Sequence, residues 1–156
     1  MSIHGKNFIG NELSAKGDKS SKIYDINSNE ALEGEFFHAT KQEVDEALEK
    51  ANKAFIEYKQ TSQILRADFL DAITEEIMNL GDELIVRTMS ESNLPRPRIE
   101  GERGRTIGQI KMFANLLREG SWVEASIDEA LPNRTPLPRN DLRKMLRPLG
   151  VVSVFE

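Results

Sequence analysis

The sequence predicts a mainly α-helical chain, with about four helices over residues 40–120 and short strands before and after them. Three observations predict it. A T-x-x-E pattern at Thr40–Glu43 opens a long stretch in which apolar residues recur every three or four positions. On either side of that stretch the pattern is short and alternating, broken by Gly, Asn, Ser and Pro. The 156 residues, 38% hydrophobic and 30% charged, suffice for one modest core but contain no apolar run of the ~20 residues a membrane span needs.

In chain order, Asn7-Phe8-Ile9 and Glu12-Leu13 flank Gly10-Asn11, two residues that tolerate positive φ, so a tight hairpin is predicted over about 8–14. Residues 22–26 and 35–39 read as further short strands around the turn-forming Asn27-Ser28-Asn29. Thr40 and Glu43 can each satisfy a backbone N–H of the first helical turn. Val44, Ala47, Leu48, Ala51, Ala54, Phe55 and Tyr58 then make one apolar stripe. A second helix opens at Thr61-Ser62, buries Ile64, Leu65, Phe69 and Ile73, and stops at Gly81. Asp82 is the expected cap of a third helix, which must end near Asn93 because Pro95 disfavours helical backbone at Leu94.

The fourth helix runs from about Pro95 to Glu119, with Pro95 and Pro97 tolerable only in its first turn and Gly120 ending it. Gly101, Gly104 and Gly108 inside it each weaken it by roughly 1 kcal/mol relative to alanine, so close approach of another backbone is the expected reason for them. They do not have the spacing of a phosphate loop. Residues 122–128 and 141–147 alternate as strands around a proline-rich linker. Val151-Val152-Ser153-Val154-Phe155 is different: an apolar β-branched run without alternation is the pattern of a strand buried on both faces of a parallel sheet. Such a sheet needs further strands joined by crossover helices, and none of the preceding strand candidates has the pattern of another buried parallel strand. The chain is therefore expected to be truncated, the sheet that residues 149–155 would open being missing. A buried edge of an antiparallel sheet is the alternative.

Charge and composition limit the chemistry. Residues 1–93 hold 10 Lys and Arg against 18 Asp and Glu, and residues 94–150 hold 11 against 7. The basic second half is interleaved with acids and lacks stacking aromatics, which argues against nucleic-acid binding. No Cys and only His4 and His38 leave no disulfide, no thiolate metal site and little material for a zinc site or a Ser-His-Asp triad. Neither a signal peptide nor a membrane span is read, and a cytoplasmic location is expected. His4 and His38 are expected to be a tail residue and a strand-surface residue.

Taken together, Phe8-Ile9-Gly10-Asn11, the turn Asp25-Ile26-Asn27-Ser28-Asn29-Glu30, Ala39-Thr40-Lys41-Gln42-Glu43-Val44-Asp45 with Ala47 and Ala54-Phe55, and Arg147-Pro148-Leu149-Gly150-Val151-Val152 resemble, in order and spacing, the N-terminal part of the NAD(P)-dependent aldehyde dehydrogenase superfamily. Ser28 departs from the proline of the family's N-P-A-T-G-E turn. Leu94-Pro95, Glu102-Arg103-Gly104-Arg105-Thr106 and Leu117–Ala125 resemble the branch that oxidises 2,5-dioxopentanoate (α-ketoglutarate semialdehyde) to 2-oxoglutarate. The resemblance implies an α/β parent fold, NAD or NADP as cofactor of the complete enzyme, an aldehyde substrate, and an oligomerisation role for strands at about 8–14, 122–128 and 141–147. It also implies that 149–155 is the first nucleotide-binding strand. The family's asparagine, glycine turn, glutamate base and cysteine nucleophile all fall beyond position 156, and Glu156 stands where relatives have a small residue.

No catalytic, cofactor-binding or metal-binding residue is therefore assigned to this chain, which is expected to be inactive alone. Arg98 and Arg105, seven apart and so on one helix face, are the substrate-binding candidates. The resemblance places Arg105 on the substrate tunnel, where a carboxylate-bearing aldehyde needs a cation. The plainer reading is a solvated face paired with Glu100 and Glu102. A non-catalytic helical module that self-associates or binds full-length subunits is the alternative function.

Overall fold

The computed structural model describes residues 3–155. Two small antiparallel ribbons come first: β1 (Asn7–Ile9) with β2 (Glu12–Ser14), then β3 (Ser20–Tyr24) with β4 (Ala31–Phe37). Gly10 takes φ +64° in the first turn, as the sequence predicts. In the second ribbon the register shifts between Lys22 and Tyr24, opposite the stretch of β4 that holds Gly34. Gly34 sits at φ +107°, where a Cβ would lie 2.8 Å from Ile3 Cγ2.

Four helices follow: α1 (Lys41–Tyr58), α2 (Gln63–Asn79), α3 (Gly81–Ser92) and α4 (Arg96–Glu119). The Thr40 hydroxyl accepts from Glu43 N at 3.2 Å, while the Glu43 carboxylate accepts from Thr40 N at 2.8 Å. Ser62 caps α2 by accepting from Leu65 N. The boundary between α2 and α3 departs from expectation. Gly81 is left-handed as predicted, but α3 begins at that residue without a side-chain cap, and Asp82 spends its carboxylate on Arg96. Asn93, at φ 55°, ends α3, and Gly120, at φ 87°, ends α4.

The core is thin and local. Ile9, Ala67, Ile85, Ile99 and Ala114 are the buried hydrophobic residues among those described. Helices α2 and α4 pack along much of their length, each contributing a fully buried alanine, and α3 packs on α4 and touches β3. Helix α1 rests chiefly on β1. Much of the predicted apolar stripe is uncovered: Val44, Leu48 and Tyr58 of α1, Ile64, Leu65 and Phe69 of α2, and Phe113 of α4 are all about half exposed. Amphipathic spacing identified the helices correctly but could not say whether a neighbour covers each face.

The glycines of α4 correct a second expectation. A Cβ added at Gly101, Gly104 or Gly108 would meet nothing within 4 Å, so no backbone within the described residues explains them. Gly108→Ala is accordingly expected to stabilise this chain by about 0.5–1 kcal/mol, read as a raised thermal midpoint. A lowered midpoint would mean that something occupies that groove.

The C-terminal strands also differ from the sequence reading. Residues 121–123 form a 3-10 turn rather than strand, and Glu124 is left-handed, so β5 begins only at Ser126 (Ser126–Asp128). It pairs antiparallel with β6 (Leu142–Lys144), and Leu131 bridges Arg139 across the intervening loop. The predicted strand at 149–155 does not form: Leu149 to Phe155 has no strand pairing, and Leu149 and Phe155 are 98% and 92% exposed. A β-branched run becomes a strand only against a partner, and no described residue offers one. Glu156 lies outside the described residues.

Candidate functional site

Helix α4 presents its arginines to several neighbours. At its start, Arg96 forks onto Asp82 of α3, with Nη2 donating to Oδ2 at 3.2 Å and Nη1 to Oδ1. That guanidinium holds the Asp82 carboxyl below its usual range. Arg103 donates from Nη1 to the Gly81 carbonyl at 3.0 Å, tying α4 to the junction between α2 and α3. Near the end of α4, Arg118 Nη2 lies 2.7 Å from both Asp68 and Asp71 of α2. Arg96, Arg103 and Arg118 thus fasten the helices together. Of the three, Arg103 alone lies in the segment Glu102–Thr106 named from the sequence.

Arg98 and Arg105 do something different. Glu102 lies between them, four residues after the first and three before the second, so all three side chains share one stripe. Arg98 Nη2 is 2.7 Å from Glu102 Oε1, and Arg105 Nε donates to Glu102 Oε2 at 3.0 Å. Hydrogen bonding from Arg105, then the charge of Arg98, keeps the Glu102 carboxyl below its usual range. Both arginines are about two-thirds exposed. The stripe is therefore a solvent-facing ion-pair triad in which Glu102 bridges the two guanidiniums. Glu100 is not part of it, since its carboxylate lies 3.4 Å from Arg96.

The most strongly perturbed carboxylate lies elsewhere. Glu43, 1% exposed, accepts from Thr40 N, Thr40 Oγ1, Lys16 N and Ser14 Oγ. The Ser14 hydroxyl and the Thr40 amide are the main causes that bring its pKa down to about 2. Ser14 and Lys16 fix β2 and the following loop to the start of α1, and the two Thr40 donors belong to the cap of α1 itself, so Glu43 is a structural knot. His38 lies exposed just past the end of β4 rather than within a strand, with Nε2 2.8 Å from Ser21 Oγ of β3, and His4 Nδ1 accepts from Lys6 N. Among the described residues no cluster of three His, Asp or Glu could hold a metal ion, and no helix is long and apolar enough to cross a membrane.

Comparison with known proteins brings these observations together. Residues 15–156 match the aldehyde dehydrogenase family. An alpha-ketoglutaric semialdehyde dehydrogenase 2 of Azospirillum brasilense is 43% identical over 156 residues, 99% of this chain and 30% of that protein. An alpha-ketoglutaric semialdehyde dehydrogenase of Acinetobacter baylyi is 42% identical over 152 residues, 97% of this chain and 29% of that protein. Among solved structures, an NAD-dependent benzaldehyde dehydrogenase of Corynebacterium glutamicum superposes with a TM-score of 0.72 at 22% identity, covering 85% of this chain and 28% of the other. Aldehyde dehydrogenase 21 of Physcomitrella patens, bound to the product succinate, gives 0.71 at 18% identity, covering 86% and 27%. The chain spans about 30% of the length of the curated relatives it matches.

Proposed function

The chain belongs to the aldehyde dehydrogenase family, and on that premise we propose that it is the N-terminal part of a cytoplasmic oxidoreductase converting 2,5-dioxopentanoate to 2-oxoglutarate with NAD or NADP. The observation that carries this reading is 42–43% identity to two alpha-ketoglutaric semialdehyde dehydrogenases across nearly the whole chain. Oxidation by this family's chemistry starts with a cysteine attacking the aldehyde. With no cysteine among its 156 residues, the chain is catalytically incompetent by itself.

The cofactor, when bound, would accept a hydride. The residues here do not fit it: Gly101, Gly104 and Gly108 lie inside a continuous helix, whose backbone N–H groups are already engaged, and no strand–turn–helix cradle is present among the described residues. What this chain would supply is substrate recognition. The far carboxylate of 2,5-dioxopentanoate would take the place of Glu102 between the two guanidiniums, with Arg105 as the principal contact and Arg98 as the second. An exposed ion pair contributes little, so Glu102 is readily displaced. The uncovered helix faces would be covered by other parts of the enzyme or by further subunits.

Steady-state kinetics on an enzyme that carries these residues together with a catalytic cysteine is the test. Arg105→Gln is expected to raise KM for 2,5-dioxopentanoate by roughly tenfold to a hundredfold while leaving KM for an uncharged aldehyde of similar length unchanged. Equal effects on both substrates, or turnover by this chain alone, would overturn the reading.

A further inference from the structure

A cleft of about 340 Å³ lies where the start of α2 meets the 121–123 turn and the segment 145–148. Lys59, Arg66 and Arg147 line it, and no acidic side chain does. None of these three cations has a carboxylate partner among the described residues, in contrast to Arg96, Arg98, Arg105 and Arg118. Two of its lining residues also carry an unsatisfied donor. Arg66 Nε and Trp122 Nε1 are both shielded from water and have no acceptor. They are neighbours, the Arg66 guanidinium carbon lying 5.9 Å from the Trp122 ring centroid.

Shielded donors without acceptors are rare in folded proteins, and of the five among the described residues these two adjoin each other at the cleft. An acceptor-only group carrying negative charge answers the uncompensated cations that line the cleft. Of the remaining walls Gln63 is polar and uncharged, and Val123, Met145, Leu146 and Pro148 are apolar. We propose that this cleft binds a small organic anion through a carboxylate or phosphate group, with the body of the ligand against Met145 and Leu146. The site is separate from the Arg98–Glu102–Arg105 stripe and does not depend on the function proposed above.

Trp122, the sole tryptophan, reports on the site directly. The chain would be titrated with inorganic phosphate and, separately, with hexanoate, following Trp122 emission against sodium chloride at matched ionic strength. A saturable change with at least one of the two is expected, and which of them gives it identifies the oxyanion. Arg66→Gln should weaken that binding by roughly tenfold or more, whereas Lys53→Gln on the outer face of α1 should not change it. Should Arg66→Gln lose its helical circular dichroism, the double variant Lys59→Gln/Arg147→Gln, altering two exposed side chains, carries the same expectation. The proposal fails if neither anion saturates, if chloride produces the same change, or if the cleft variants bind as the parent does. The first of those results would instead assign the orphan donors to acceptors of another polypeptide segment.

Discussion

Ile85→Ala is expected to destabilise the chain by about 2–5 kcal/mol, read from the shift in its denaturant midpoint. Ile85 heads the largest fully buried side chains, at 1% exposure, and it sits on α3, the helix that joins α4 to the β3–β4 ribbon. With so few buried hydrophobic residues among those described, little surrounding structure can collapse into the space its side chain would vacate. The polar ties beside it, such as Ile26 N donating to Ser90 O at 3.0 Å, presuppose that α3 is already seated. Val86→Ala, one residue further on but half exposed, is the control and should stay within about 0.5 kcal/mol. Equal effects at both positions would mean that α3 is not packed as described.

The second large effect concerns Glu43. Glu43→Ala removes the acceptor of four donors at once and should lower the thermal midpoint by roughly 5–10 °C at neutral pH. Acid supplies a separate signature. The folded-state pKa, about 2, lies below the ordinary 4.5, so the unfolded chain takes up the proton first. The contribution of Glu43 is therefore complete above pH 4.5 and is lost as pH falls from there towards 2. Asp25, Glu46, Asp82, Glu102 and Glu119 are shifted in the same direction, so the parent loses stability in acid for several reasons. The difference between the parent and Glu43→Gln isolates one of them. That difference should shrink steadily between pH 4.5 and 2, and a constant difference would remove Glu43 from the account.

Features whose causes lie within a few residues were legible in the sequence. The Thr40–Glu43 box, the Gly10-Asn11 turn, the stop at Asn93 before Pro95 and the end of α4 at Gly120 all depend on neighbours in the chain. Features that need a distant partner were not. Lys16 and Ser14 converge on Glu43 from 27 and 29 residues away, a contact no local pattern encodes. Asp82 has the residue type of a cap, but Arg96 captures its carboxylate. Residues 149–155 have the composition of a strand and no strand to pair with among the described residues. The shared face of Arg98 and Arg105 followed from helical spacing, and Glu102 and Glu100 were named beside them. Spacing could not show that Glu102 alone would be held by both, nor that Arg66 at the start of α2 and Trp122 in the turn after α4 would meet.

The ribbon of β5 and β6 has every residue exposed, and one backbone bond from Leu146 N to Val123 O, 2.8 Å long, secures its base. With no side chain interred on either face, opening it forfeits little beyond its own ladder, whereas parting α2 from α4 must expose both interred alanines. The molecule is thus graded in its cooperativity. Amide protons of the ribbon would trade with solvent through small, frequent excursions, and those of the helix pair only through much rarer, wholesale ones.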